Sequence, residues 1–342
     1  MNSEQIYPWQ QTVWQHVTQR YQQGQLPHAL LLSGSAGLGK LHFAQQLALA
    51  LMCDLNKQVT AEGAFAVPCG QCNGCHLMNA GTHPDFRSVQ PEADGKQISI
   101  DSIREVSRFL TLKSQFAPLQ VVIVAPAEAM NHHAANSLLK TLEEPTPGSL
   151  LLLVTNRPDR LLPTIRSRCQ LIEFSTPEPA LALNWLEARL ADSEKPYTAT
   201  RADMERLLAL AYGAPVLALQ FAQNGVLESY QQLLQSFEKL AKKQLDPVAE
   251  AKQWESVGLA QSVKWLYLWV ATLIGFKSGR EEVDITVKWR EPVLASMEHQ
   301  LNYNQLYAYL DKVTEITRMI DTPVNVQLTL EDLLTGWQQL HS

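Results

Sequence analysis

Three short apolar runs, His28–Ser33 (HALLLS), Gln120–Val124 (QVVIV) and Leu150–Thr155 (LLLLVT), punctuate the first half of the chain. They are too short for helices and carry no alternation of wet and dry positions, so they predict parallel strands buried on both faces. Helical patterns lie between them, over Lys40–Met52 and over Ala134–Glu144, the second stopped by Pro145 and Pro147. Strands alternating with helices predict an α/β domain built on a parallel sheet. Around Ser175–Pro179 (STPEP) the texture changes to that of a linker, and strand-like runs become rare beyond it. The remainder reads as helices broken near Tyr212–Pro215, Gly275–Gly279 and Asp321–Pro323. The expected organisation is an α/β domain over 1–175, a small helical domain over 176–217 and a larger helical domain over 218–342.

In the last part, Trp254, Val257, Ala260, Val263, Leu266, Trp269 or Val270, and Leu273 recur at three- and four-residue intervals. This spacing predicts one apolar face along one long helix, turned to an internal core. The stretch Val257–Phe276 contains Gln261, Ser262 and Lys264, which fits a packed amphipathic helix better than a membrane span. Glu238–Lys243 (EKLAKK) reads as a solvated helix face.

The first strand runs into Gly34-Ser-Ala-Gly37-Leu-Gly39-Lys40, a G-x-x-x-x-G-K phosphate-binding loop followed by a helix. Such glycines let backbone N–H groups curl around phosphate, and the helix N-terminus adds its dipole. The next residue should be Ser or Thr, whose hydroxyl holds Mg²⁺. Here it is Leu41, and the strand that should end in a metal-holding acid ends instead at Ala125-Pro126. Glu128 comes a few residues too late and reads as an ordinary first-turn acid. Gly34, Gly37, Gly39 and Lys40 can therefore shape a degenerate loop, with ATP or ADP binding in doubt and no autonomous hydrolysis expected.

Four of five cysteines fall in one region, Cys53 and Cys69-x-x-Cys72-x-x-Cys75. Four thiolates suit a closed, structural Zn²⁺ site that staples a surface insertion over about residues 53–76. An iron–sulfur cluster lacks its fourth Cys followed by Pro, and unliganded thiols remain the other alternative. His76 is a poorer fourth ligand than Cys53 because it adjoins Cys75.

Later come Thr155 and Asn156, read as turn-forming residues, and the segment Arg166-Ser167-Arg168-Cys169. Cys169 reads as a small buried residue that sets the turn. The order HALLLSG, CGQCNGC, GTHPDF (Gly81–Phe86), TLEEP and RSRC strongly resembles the clamp-loader subunits of bacterial DNA polymerase III, of the AAA+ class. The likeness covers residues 1–175 by motif and 176–342 only by helical texture and length. It implies an AAA+-like P-loop domain with a zinc-binding insertion, a lid and a helical collar for oligomerisation, the last a second role for the apolar helix. It also implies that Arg168 serves in trans as an arginine finger in a neighbouring subunit's ATP site, a role that suits a fixed guanidinium, with Arg166 a weaker second candidate. A sensing Arg of active relatives is missing, its place taken by Gly213-Ala-Pro-Val216. The resemblance thus implies a non-hydrolysing stator that supports ATP-driven loading of a sliding clamp onto primed DNA. Its partners would be the gamma/tau ATPase subunits, the delta subunit, the clamp and, in the assembled complex, DNA. Polymerase activity would belong to the assembly.

Composition adds limits. The 342 residues suffice for two or three domains, with 46% hydrophobic and 18% charged residues and a net charge of -6. An acidic chain argues against a surface that grips nucleic acid throughout. The cysteine region has only Lys57 before it and Arg87 beyond, which disfavours a zinc-ribbon DNA-binding module. MNSEQIYPW lacks a basic segment followed by an apolar one, so no secretory signal is expected. Clustered thiols suit a reducing cytoplasm. The competing enzymatic reading is an independent P-loop ATPase or kinase with an atypical magnesium site.

Overall fold

The computed structural model describes residues 6–56, 65, 67–93, 95–192, 200–278, 292–297, 302–320 and 324–341. Lys57, Gly279 and the break expected at Asp321–Pro323 lie outside these residues. The chain divides into two compact units, Met1–Ala182 and Leu183–Ser342.

The first unit is built on five parallel strands, β1 (Ala29–Ser33), β2 (Phe86–Val89), β3 (Gln120–Val124), β4 (Ser149–Thr155) and β5 (Gln170–Glu173), in the order β2-β3-β4-β1-β5. With a phosphate loop after β1, this is an AAA+-like P-loop sheet. The strands expected from apolar runs are the three central ones, and every residue of β1 and β3 is buried. Ala29, Leu31, Val122, Val124, Leu151 and Leu153 point to one face, where they pack with Ile103, Val106 and Leu110 of the helix Ile100–Thr111 and Ala134, Leu138 and Leu142 of the helix His132–Glu143. The pairings Leu31↔Leu153 and Val122↔Leu151 set these side chains in rows across the sheet. The edge strands β2 and β5 are mixed in burial, which is why no apolar run announces them. The helix expected over Ala134–Glu144 begins two residues earlier, because the Asn131 side chain caps it by accepting from the Ala134 N–H at 2.8 Å.

The second unit is helical. Its long apolar helix spans Leu259–Lys277, and Val263, Trp265, Leu266, Trp269, Val270 and Leu273 are buried in it. By length and composition alone it is apolar enough to cross a membrane, but this burial makes it a core helix. The expectation of one continuous face from Trp254 to Leu273 is corrected here. Trp254 belongs to a separate helix, Pro247–Glu255, and Ala260 is exposed. Gly258, at φ 91, breaks the chain between the two helices in a conformation that disfavours other residues. At the expected break near Tyr212–Pro215, Tyr212 and Gly213 both have positive φ, and Pro215 opens the next helix, Pro215–Gln223.

Aromatic rings fill this core. Phe237 and Trp337 stack at 4.0 Å, and the Trp337 indole donates to the Phe237 carbonyl at 3.1 Å. The Trp254 indole donates to Ser236 Oγ at 3.2 Å, and Ser236 in turn donates to Glu250. Both of these indoles thus have their N–H satisfied, whereas Nε1 of the buried Trp269 has no hydrogen-bond partner among the described residues. Trp337 lies in the helix Val326–Gln339 and Phe237 in Val226–Ala241, so this contact ties elements 100 residues apart. Trp337→Ala is expected to destabilise the helical unit by about 3–5 kcal/mol. A urea titration followed by tryptophan fluorescence checks this; an unchanged midpoint would show that the ring does not hold the core.

Candidate functional site

The phosphate loop leaves β1 at Gly34 and closes at Gly39, the residue before the helix Lys40–Met52. Gly37 and Gly39 both adopt φ 79, the left-handed region that glycine enters without strain. Gly39 also has no room for a side chain, since a Cβ there would collide with the Tyr7 ring. Tyr7, Trp9 and Gln10 pack on the loop from the N-terminal segment. The Trp9 indole donates to the Leu38 carbonyl at 3.0 Å, and Gln10 Nε2 donates to the carbonyls of Leu38 at 2.9 Å and Gly39 at 3.1 Å.

Lys40 is 3% exposed, and its ammonium is fully engaged within the protein. Nζ donates to the Gly34 carbonyl at 2.7 Å, the Ser35 carbonyl at 2.6 Å and Asn156 Oδ1 at 2.8 Å. Three donors therefore meet three acceptors. Burial pushes the Lys40 ammonium down to about 8, with the Glu128 charge opposing that shift. At neutral pH the group stays charged.

Glu128 needs a fuller account than that of a first-turn acid. It does lie in the first turn of the short 3-10 helix Ala127–Ala129, but its Oε1 also accepts from the Asn156 N–H at 3.0 Å. Its Oε2 is buried without a hydrogen-bond partner. Asn156 is therefore more than a turn residue, since it joins Lys40 to Glu128 and links the ends of β1, β3 and β4. Thr155 does form a turn, its Oγ1 accepting from the Arg157 N–H at 3.0 Å. Leu41 follows Lys40 within the helix and brings no oxygen, and Ala125 and Pro126 follow β3. Sequence reasoning missed the Glu128–Asn156 bond because it joins residues 28 positions apart.

The four cysteines come together. Cys53 caps the end of the helix Lys40–Met52, and Cys72 caps the short helix Asn73–Asn79. The sulfurs of Cys53, Cys69, Cys72 and Cys75 all lie within 4.8 Å of one another, with 3.7 Å between Cys53 and Cys69, 3.9 Å between Cys72 and Cys53, and 4.0 Å between Cys69 and Cys75. These separations are far longer than a disulfide bond of about 2.05 Å. They match the edge of about 3.8 Å for a tetrahedron with metal–sulfur bonds near 2.3 Å. Backbone N–H groups point at the sulfurs: Cys72 N to Cys69 Sγ at 3.3 Å, Cys75 N to Cys72 Sγ at 3.4 Å, and Asp54 N to Cys72 Sγ at 3.4 Å. Backbone N–H groups of Gln71 and Cys72 pull the Cys69 thiol down to about 6, whereas burial raises Cys53 and Cys75. A Cβ on Gly74 would collide with the Met52 carbonyl, so glycine allows the cysteine turn to close on the helix end. His76 is exposed, and Cys53 completes the cluster. The cluster can hold a metal ion.

Arg168 follows the short helix Pro163–Arg166 and precedes β5. Its Nη2 pairs with Glu143 Oε1 at 2.7 Å and its Nη1 donates to the Thr164 carbonyl at 3.0 Å. Arg166 is exposed. Cys169 is half-buried, and burial pushes its thiol up to about 12, which suits a packing role. Because β5 runs parallel to β1 with Leu30↔Gln170 and Ser33↔Glu173 in register, Arg168 lies beyond the amino end of β5 while Gly34 lies beyond the carboxyl end of β1. Three strand steps alone separate those ends by about 10 Å. The structure thus keeps Arg168 apart from Lys40.

The GTHPDF segment turns out to be structural. Asp85 is 1% exposed, and its carboxylate accepts from the N–H groups of Gln115 at 2.7 Å, Phe116 at 2.6 Å and Ala117 at 2.8 Å. It organises the loop that leads into β3, a role no local sequence signal announced.

Comparison with known proteins supplies the context for these sites. The family model described as DNA polymerase III, delta subunit matches residues 9–178, and that described as DNA polymerase III, delta subunit, C terminal matches residues 224–339. DNA polymerase III subunit delta' of Pseudomonas aeruginosa is 35% identical, with 98% of this chain and 98% of that protein covered. The subunit delta' of Haemophilus influenzae is 31% identical, covering 96% of each chain. That of Escherichia coli is also 31% identical, covering 96% of this chain and 94% of that one. The second family match and these near-full-length alignments extend the likeness through the helical half, where sequence motifs gave only texture. On these matches, the chain belongs to the family of DNA polymerase III delta' subunits.

Proposed function

We propose that this chain is the non-hydrolysing stator of the replicative clamp loader, silent at its own phosphate loop and active at a neighbour's. The observation that carries the reading is the placement of the two groups at opposite ends of the parallel sheet. Lys40 is buried at the carboxyl edge with all three donors occupied, and Arg168 is partly exposed at the amino edge. Arg168 lies at the opposite end of the strands from Gly34–Lys40, which supports a role toward another chain rather than toward a nucleotide in its own loop. A guanidinium brought to a γ-phosphate stabilises charge in the transition state by about 10³–10⁵ in rate in related systems. Leu41, Ala125 and Pro126 offer no Mg²⁺ ligand, and Glu128 is committed to Asn156 through Oε1. That commitment argues against the independent ATPase or kinase.

In this reading the partners are the gamma/tau ATPase subunits and the delta subunit, the sliding clamp, and primed DNA in the assembled complex, all in the cytoplasm. Residues 176–217 serve as a lid, and 218–342 serve as the collar through which subunits join. Cys53, Cys69, Cys72 and Cys75 hold structural Zn²⁺. Their sulfur spacing and sulfur-directed N–H groups support a closed four-thiolate site that pins the insertion to the end of the P-loop helix.

The purified chain is expected to show no steady ATP turnover, and Leu41→Thr alone is expected to restore none. Sustained hydrolysis by the unmodified chain in a phosphate-release assay would sink the stator reading, and a clear gain in Leu41→Thr would show that Ala125-Pro126 does not disable the metal site. In a reconstituted loader, Arg168→Ala is expected to reduce DNA-stimulated hydrolysis at the adjacent site by at least about tenfold while the complex still assembles. Undiminished hydrolysis and clamp loading would refute the finger role. Elemental analysis of the native chain is expected to give one zinc per chain. Cys72→Ser should lose the metal and lower the melting temperature, whereas iron or metal-free thiols would overturn the zinc assignment.

A further inference from the structure

Glu143 closes the helix His132–Glu143, and a second acid, Glu144, follows it. Acids at that end face the negative pole of the helix, a placement that costs stability unless a cation compensates. The compensating cation is Arg168, whose Nη2 lies 2.7 Å from Glu143 Oε1. The guanidinium has a second anchor, because its Nη1 donates to the Thr164 carbonyl one helical turn earlier at 3.0 Å. Two contacts on different nitrogens fix the plane of the fork, while the side chain keeps 36% exposure. A long, flexible arginine that must meet a phosphate on another chain gains from being held beforehand, because the ordering entropy is already lost.

We propose that Glu143 is the positioning residue for Arg168, holding its guanidinium in the orientation presented to the neighbouring subunit. This inference rests on the finger role of Arg168 and adds the group through which that role is set. Glu143 does not contact the nucleotide. It acts by restricting the Arg168 rotamers and by keeping the guanidinium plane fixed against the Thr164 carbonyl. Positioning of this kind changes the rate of the chemical step more than the binding of ATP.

The test uses the reconstituted loader with Glu143→Ala, Glu143→Gln and Arg168→Ala, each measured for kcat and KM of DNA-stimulated ATP hydrolysis. Glu143→Ala is expected to lower kcat at the adjacent site about fivefold, equivalent to about 1 kcal/mol, with KM for ATP unchanged. Glu143→Gln retains an acceptor at the Oε1 position and is expected to recover part of that loss. In the Arg168→Ala background, Glu143→Ala is expected to cause no further fall in kcat, because both changes act through one group. If Arg168→Ala lowers kcat and Glu143→Ala does not, Glu143 has no positioning role and the finger reading survives. If Arg168→Ala itself has no effect, the finger reading fails first. A melting-temperature loss with unchanged kcat would show that Glu143 only offsets the helix end.

Discussion

The parallel register of β1 between β4 and β5 is the constraint on which the functional geometry depends. Pairing Leu30 with Gln170 and Ser33 with Glu173 makes the carboxyl ends of the strands one edge of the sheet and the amino ends the other. Everything that follows β1, β3 and β4 gathers at the first edge: the glycine loop, Glu128 and Asn156. Arg168 precedes β5 and Glu143 precedes β4, so their ion pair forms beyond the second edge. The buried leucines and valines of the central strands hold this register, because a slip of one residue would turn each row to the wrong face.

At the carboxyl edge, the retained lysine has become a structural link. Its bonds to Gly34, Ser35 and Asn156 close the loop on the end of β4, and Glu128 extends the chain of contacts to the turn after β3. The N-terminal aromatic segment adds to this by meeting the loop carbonyls of Leu38 and Gly39. A glycine loop of this shape can persist without catalysis, since the Lys40 ammonium and the carbonyls of Gly34, Ser35, Leu38 and Gly39 have partners inside the protein. The cysteine cluster lies at the other end of the helix that leaves the loop, where Cys53 joins it to the insertion.

Much of this was legible in the sequence, and the exceptions have physical causes. The central strands were readable because burial on both faces demands continuous apolar residues. The edge strands FRSV and QLIE escaped notice because exposure relaxes that demand. Cysteine spacing announced the cluster, since two-residue gaps bring sulfurs to one side of a tight turn. Trp254 was misassigned because three- and four-residue spacing continues in sequence across Gly258, although the helix does not. The Glu128–Asn156, Lys40–Asn156 and Glu143–Arg168 contacts were hidden because each joins residues brought together only by the sheet. Family likeness identified Arg168 as a candidate, while the carboxylate that holds it emerged only from the fold.

The most direct measurement is a structure of the assembled loader bound to DNA and an ATP transition-state analogue. The account predicts the Arg168 guanidinium within about 3 Å of the analogue's γ-phosphate position in the neighbouring subunit. It also predicts that Lys40 remains bonded to Asn156, with no Mg²⁺–nucleotide in this chain's own loop. A magnesium-bound nucleotide at Gly34–Lys40, with Arg168 turned away from the neighbour's phosphates, would contradict it.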